Sequence, residues 1–385
     1  MYYHRKLESE IIRGIKYNPV IAILGPRQCG KSTLAKYIAG EISMEVLYLD
    51  LERPTDLQKL EDAEWFLGTQ KNKLICLDEI QRKPELFPLI RSLVDEWGGN
   101  GHFMVLGSAS RDLIKQSSES LAGRISYKQL SPFLWDELRD NYTMEDYLVK
   151  GGFPRSILTR DDKVSFEWRE DFISTFLERD ILMWSGFSPA TMRKLWQMLA
   201  HINGQIINYA TLGSSLGVSH TTARNYVELL SSTFMVHLLP PYLANIGKRL
   251  VKSPKIYLTD TGITNALLNI ANFEQLAGHP SIGAVWEALV LSNLMASFPG
   301  FNFYFYRTGH GAEIDIIIES HKRIVAVECK AGLSPKLAKG TFTAINDLKP
   351  EITLIVSPVK EGWPMKQGIE VVNLRKAVNR IKEIL

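Results

Sequence analysis

The sequence predicts an α/β protein in four parts: a parallel sheet with helices on both faces, a helical segment, a helix-turn-helix with a wing, and a smaller α/β domain. Three observations lead there. Short apolar runs alternate with helical patterns in the N-terminal part, the pattern of a parallel sheet with crossover helices. A glycine-containing loop, Gly25-Pro26-Arg27-Gln28-Cys29-Gly30-Lys31-Ser32, joins the first of these runs to a helix. A later series of apolar runs, beginning at Phe303, reads as the strands of a separate sheet. At 385 residues the chain exceeds one ordinary core, and 45% hydrophobic with 23% charged residues is the balance of a globular protein. The expected ranges are 1–130 for the first sheet, 131–190 for the helical segment, 191–262 for the winged helix-turn-helix and 263–385 for the last domain.

The bulk chemistry excludes more than it selects. Lys and Arg outnumber Asp and Glu by 45 to 42, so the net charge of +3 points to no partner by itself. The start, Met1-Tyr2-Tyr3-His4-Arg5-Lys6-Leu7-Glu8, lacks the apolar run of a signal peptide, and no apolar stretch reaches membrane-spanning length. Cys29, Cys76 and Cys329 are far apart and show no metal-ligand spacing. The expectation is therefore a cytoplasmic protein with reduced thiols and no membrane contact.

The strand Val20 to Leu24 comes first, a five-residue apolar run that suits a strand buried on both faces. The loop after it matches G-x-x-x-x-G-K-[ST] at every fixed position, and Thr33 to Ala39 reads as the helix it opens. Glycines let backbone N–H groups close around phosphate oxygens, and the helix N-terminus favours negative charge. Gly25 to Thr33 are the expected nucleotide contacts, with Lys31 on the β and γ phosphates and the Ser32 hydroxyl on magnesium. Next come Val46 to Asp50 and then Lys73 to Leu77, which runs into Asp78-Glu79. Two carboxylates at the end of a buried strand need a cation or hydrogen bonds. Asp78 can complete the magnesium shell and Glu79 can deprotonate the attacking water. A fourth strand, His102 to Leu106, ends in Gly107-Ser108-Ala109-Ser110. Ser108 is either a side chain that senses the γ-phosphate or a serine in a strand-exit turn.

These residues resemble an AAA-type ATPase. The whole chain resembles the bacterial and archaeal AAA-like ATPases fused to a C-terminal domain of unknown function with a restriction-endonuclease-like fold. Supporting segments are Ser120-Leu121-Ala122-Gly123-Arg124, Gly151-Gly152-Phe153-Pro154, Arg179-Asp180-Ile181 and Lys255 to Gly262. The resemblance implies ATP and Mg²⁺ as ligands, ATP hydrolysis, a helical lid over residues 131–190, and homo-oligomers. In such a lid Pro154 would lie near adenine. An arginine that neutralises the transferring phosphoryl group belongs to a hydrolysing site. Arg124, Arg155 and Arg179 are the candidates, with Arg124 preferred.

The middle of the chain reads as a helix-turn-helix. Leu195 to Ala200 and Tyr209 to Leu216 form two helices, Gly217-Val218-Ser219 turns, and a third helix places Ala223, Tyr226, Val227 and Leu230 on one face. The first turns of the third helix offer Thr221, Thr222 and Arg224 to double-stranded DNA. Phe234 to Leu239 and Ile256 to Leu258 supply the wing strands. Lys248, Arg249, Lys252 and Lys255 between them are suited to phosphate contacts. A winged helix docks proteins as readily as DNA, so both readings stand.

The last segment carries a second set of acids. Glu287 lies on the helical pattern Ile282 to Met295, Asp315 on the run after Gly311, and Glu328 with Lys330 on the next run. The 13 residues from Asp315 to Glu328 allow a hairpin that sets them side by side. This set resembles the metal-binding core of restriction-endonuclease-like nucleases, which implies a second metal at Glu287, Asp315 and Glu328 with Lys330 activating water. The alternative is a set of salt bridges in a fold that does not cut.

Overall fold

A computed structural model of the chain describes residues 2–108, 117, 119–177, 188–243 and 251–385. They form two compact units, the first reaching Phe133 and including Ser232–Phe234, the second holding the rest. Arg179, Lys248 and Arg249 lie outside the described residues.

In the first unit, β1 (Val20–Leu24), β2 (Val46–Asp50), β3 (Leu74–Asp78), β4 (Phe103–Gly107) and β5 (Ile125–Gln129) make one sheet in the order β2-β3-β4-β1-β5. All four pairings are parallel. The apolar runs of β1, β3 and β4 are buried at every position, as a sheet covered on both faces requires. The fifth strand has no such run: Ile125-Ser126-Tyr127-Lys128-Gln129 mixes apolar and polar residues because it is an edge strand, half-exposed along most of its length. The helix Leu86–Trp97 buries Leu86, Phe87, Ile90, Leu93 and Val94 against the face made by Val20, Ala22, Ile75 and Phe103. Because every strand runs the same way, Gly25, Asp78 and Ser108 all leave the sheet along one edge.

The second unit opens with short helices and then presents Pro189–His201, Tyr209–Leu216 and His220–Ser232. The strands β6 (Val236–Leu239) and β7 (Lys255–Leu258) follow and pair antiparallel. A second sheet has six strands: β8 (Asn302–Arg307), β9 (Glu313–Ser320), β10 (Arg323–Cys329), β11 (Ile352–Val356), β12 (Trp363–Lys366) and β13 (Ile369–Val372). Their order is β12-β13-β11-β10-β9-β8, antiparallel at β8-β9-β10 and parallel at β10-β11-β13. His321 and Lys322, both at positive φ, turn the β9–β10 hairpin as a two-residue loop. The buried helix Ile282–Ser297 leads into this sheet, and Lys339–Leu348 makes the crossover from β10 to β11.

Two of the sequence segments quoted above meet inside this unit. The Asp260 carboxylate accepts the N–H of Gly152 at 2.7 Å and caps the helix Thr261–Leu267 through the N–H of Ile263 at 2.9 Å. A Cβ on Gly151, at φ +71°, would stand 2.2 Å from that carboxylate, so only glycine fits. Arg169, fully buried, donates to the carbonyls of Val149 and Gly262. The paired glycines and Asp260 thus join the helical segment to the helix after β7. Among the described residues no helix is long and apolar enough to cross a membrane.

Candidate functional site

The loop after β1 is shaped by what surrounds it. Gly25 donates its N–H to the carbonyl of Gly107 at 3.3 Å, which ties the loop to the end of β4. A Cβ on Gly25 would lie 2.1 Å from the Leu130 carbonyl oxygen, so the backbone there admits no side chain. Gly30, at φ +104°, turns the chain into the helix Lys31–Glu41. Lys31 is 5% exposed, and its ammonium donates to the carbonyls of Gly25 at 3.0 Å and Pro26 at 2.9 Å. Those acceptors are neutral. A buried ammonium is better balanced by an anion, which is what a triphosphate offers. Pro26 and Cys29 are buried, whereas Gln28 and Thr33 are exposed and Arg27 and Ser32 are half-buried. Burial raises the Cys29 thiol above its ordinary range, so it is a packing residue.

Asp78, at the end of β3, is buried and accepts the Tyr48 hydroxyl of β2 and the N–H of Glu79 at 3.0 Å. Burial, then the hydrogen bond and the charge of Asp78, push the Tyr48 phenol up, while its hydrogen bond with Ser32 acts the other way. Tyr48 is thus bonded to Asp78, with the Ser32 hydroxyl near enough to influence its phenol. Oxygen donors of this kind, a carboxylate and a hydroxyl, are the chemistry that magnesium takes. Glu79 holds left-handed backbone angles, φ 58° and ψ 45°, at a cost of about 1–3 kcal/mol for a side-chain-bearing residue. Its carboxylate accepts from the amide of Gln81, and the same amide nitrogen donates to the Ser108 hydroxyl at 3.0 Å. Gln81 thus holds Glu79 and Ser108 together across β3 and β4.

Three residues outside the expected site set support it. Arg5, 6% exposed, donates to the carbonyls of Cys29 at 3.1 Å and Ser131 at 2.7 Å and props the loop from the N-terminal segment. Tyr48 and Gln81 are the others. Of these only Gln81 carries a local signal, since it follows the acidic pair by two residues.

The preferred arginine does not join the site of its own chain. Arg124 immediately precedes β5, whose register with β1 starts at Val20↔Ile125, so it stands at the N-terminal edge of the sheet. The loop leaves the opposite edge, about 13 Å along the strand at ~3.3 Å per residue. The Arg124 guanidinium makes two hydrogen bonds to Asp95, at 2.5 and 2.9 Å. Arg155 is exposed on the short helix Pro154–Ile157 of the second unit.

On the helix His220–Ser232, Ala223, Tyr226, Val227 and Leu230 are buried. Thr221 and Arg224 are exposed, and Thr222 is half-buried. Ser219 caps the helix by accepting the Thr222 N–H at 3.0 Å. Arg224 is paired with Glu228 at 3.0 Å, one turn on. Lys255, counted from sequence among the basic residues of the wing, is only 3% exposed and is turned inward.

Lys255 meets the second set of acids. Its ammonium lies 3.2 Å from Glu287, 3.0 Å from Glu313 and 3.7 Å from Asp315. Tyr257, two residues along β7, donates its hydroxyl to Glu287. Asp315 accepts the Cys329 N–H at 2.9 Å, and Glu328 pairs with Lys330 at 2.7 Å. The register Val327↔Ile316 brings Asp315 and Glu328 side by side, as the hairpin spacing anticipates. Burial first, then the charge of Asp315, raises both Glu287 and Glu328 to about 7. Burial lowers the Lys255 ammonium, but Glu287, Asp315 and Glu313 outweigh it, and the net shift is upward. Among the described residues no group of three or more His, Cys, Asp or Glu side chains is arranged to hold a metal ion.

Comparison with known proteins adds the following. Residues 17–139 match the AAA domain, 141–274 a domain of unknown function (DUF8612) and 282–377 another (DUF4143). The uncharacterized proteins Rv2008c of Mycobacterium tuberculosis and Mb2031c of Mycobacterium bovis are each 38% identical over 369 residues, 96% of this chain and 83% of theirs. Solved structures to which the chain is similar include the Walker-type ATPase paby2304 of Pyrococcus abyssi, 14% identical, TM-score 0.48, over 69% of this chain and 96% of that one. The RuvB Holliday junction branch migration motor of Thermotoga maritima is 20% identical, TM-score 0.30, over 61% and 86%.

Proposed function

This chain belongs to the family of the two mycobacterial proteins and its residues 17–139 match the AAA domain, and we propose that it is a magnesium-dependent ATPase whose nucleotide state governs the second unit. The supporting observation is one sheet edge. Lys31, Ser32, Asp78, Glu79 and Ser108 emerge together there, and among the described residues the buried Lys31 ammonium donates to neutral carbonyls. Lys31 would exchange the Gly25 and Pro26 carbonyls for phosphate oxygens. Ser32 and Asp78 would hold the magnesium ion, which supplies neutralisation of the triphosphate charge. Glu79, kept beside Ser108 by Gln81, would take the proton of the attacking water. The test is a pair of variants. Lys31→Ala should lose ATP binding, and Glu79→Gln should bind ATP but not turn it over; normal turnover in Glu79→Gln refutes its role as the base.

The second unit would act on DNA through the exposed turn of Thr221, Thr222 and Arg224 with Lys248, Arg249 and Lys252. Binding should then weaken as salt rises and fall further in Lys248→Ala/Arg249→Ala. A second reading, a module that recruits proteins, gains from the burial of Lys255 and the Arg224–Glu228 pair, which leave less free positive charge than the sequence suggests. Binding that is absent or indifferent to salt favours this one. A homo-oligomer, which the AAA-type resemblance implies, is part of the proposal.

A further inference from the structure

We infer that Lys255 is the resident cation of the second carboxylate cluster, so that this centre is a charge clasp and not a metal site. The inference is independent of the ATPase reading. A nuclease-type core implies a divalent ion among Glu287, Asp315 and Glu328, yet the residues present do not fit one. Each acid already has donors from the protein. Glu287 has Lys255 and Tyr257, and Glu313 has Lys255 and, at 3.6 Å, Arg307. Asp315 has Lys255 and the Cys329 amide, while Glu328 has Lys330 and the Thr341 hydroxyl. Three cations, Lys255, Arg307 and Lys330, therefore face four carboxylates before any metal is added, and a divalent ion would reverse the local charge.

A buried oxygen without a partner does not change this. Glu328 Oε2 is buried with no hydrogen-bond partner among the described residues, but magnesium takes six oxygen ligands in near-octahedral geometry. Such a shell cannot close around a cluster where an ammonium already lies 3.0–3.7 Å from Glu287, Glu313 and Asp315. Nor can Lys255 step aside locally. It begins β7, whose four residues are all buried and paired with β6, and a buried lysine leaving three acids would strand their charges. The clasp has a structural consequence. It fastens β7 to the helix Ile282–Ser297 and to β9, so the β6–β7 pair and the six-stranded sheet are joined by ionic contacts.

Manganese titration of the full chain without nucleotide, followed by the electron paramagnetic resonance of free Mn²⁺, tests this. Wild type and Asp315→Asn should bind the same number of Mn²⁺ ions. Lys255→Met should gain one further ion per chain, lost again in Lys255→Met/Asp315→Asn. An Mn²⁺ equivalent present in wild type and missing in Asp315→Asn, or in Glu313→Gln if the first variant does not fold, overturns the inference. Thermal unfolding gives a readout that needs no metal. Lys255→Met should lower the melting temperature, and Lys255→Met/Glu287→Gln should recover part of the loss because one stranded charge is removed. Absence of any recovery counts against the clasp.

Discussion

The two units each gather acids at a sheet, and they treat them in opposite ways. In the first, Asp78 and Glu79 face polar neutral groups: a tyrosine hydroxyl, a glutamine amide and backbone N–H. In the second, Glu287, Glu313, Asp315 and Glu328 face ammonium groups and a guanidinium. Neutral partners orient a carboxylate and leave its charge for an incoming cation, whereas a cationic partner spends that charge within the fold. The residue types are alike, and what separates the sites is whether a neighbouring element brings a lysine.

Exchanging carboxylate for amide in both units sharpens the contrast. Glu79→Gln should cut ATP turnover by about 10²–10⁴-fold, the range for removing a positioned general base, with nucleotide affinity kept. Glu287→Gln should leave turnover unchanged and alter only the stability of the second unit. Steady-state phosphate release and hydrogen exchange in the helix Ile282–Ser297 would separate the two effects. Loss of turnover in Glu287→Gln would mean that the second cluster takes part in the chemistry.

The contrast was only half legible in the sequence. The loop from Gly25 to Ser32 could be read because strand, loop and helix are contiguous, and Asp78-Glu79 because the pair closes an apolar run. The recognition-type helix was equally local, and its buried face matches the apolar spacing. Lys255 was misread because a lysine near a hairpin of basic residues resembles solvated charge. The signal that opposes this is alternation: Lys255 and Tyr257 share one face of a four-residue strand, and both point to Glu287. The place of Arg124, away from its own chain's loop, was hidden for another reason. A glycine before an arginine after the core strands says nothing about which edge of the sheet it reaches, and the edge strand β5 that decides this has no apolar run. Tyr48 and Arg5 act across strands and carry no local pattern at all.

Acidity should distinguish the units next. Glu287 and Glu328 have folded values of about 7 against 4.5 in the unfolded chain, with burial the first cause and Asp315 the second. Between those limits the folded state holds more protons, so these groups destabilise the second unit as pH rises from 4.5 to 7. The ceiling is about 3 kcal/mol per group, with the attraction of the charged acids to Lys255 and Lys330 already contained in the folded values. Hydrogen exchange in the helix Ile282–Ser297 should be slower at pH 5 than at pH 7.5 after correction for the intrinsic rate. Glu287→Gln should flatten that dependence; an unchanged slope would place its origin elsewhere.

A smaller change is expected where the first unit carries its own stand-in. The Tyr48 hydroxyl occupies Asp78, so it competes with a metal for that carboxylate without supplying charge. Tyr48→Phe should lower the magnesium concentration for half-maximal turnover by about three- to tenfold, the worth of one hydrogen bond. A rise in that concentration would instead make Tyr48 a positioning residue for Asp78.

The smallest effect belongs to Arg124. Its bond to Asp95 is exposed, and pairs of that kind contribute little. Its edge of the sheet is not the one from which the nucleotide loop departs, so Arg124→Ala should change neither ATP affinity nor turnover in a dilute, single-copy preparation by more than about twofold. The variant discriminates because an arginine remote from its own nucleotide can still reach that of a neighbouring copy. Turnover that rises with protein concentration in wild type and loses that rise in Arg124→Ala would assign the residue to the next subunit's site. Turnover independent of concentration in both would leave it the structural partner of Asp95.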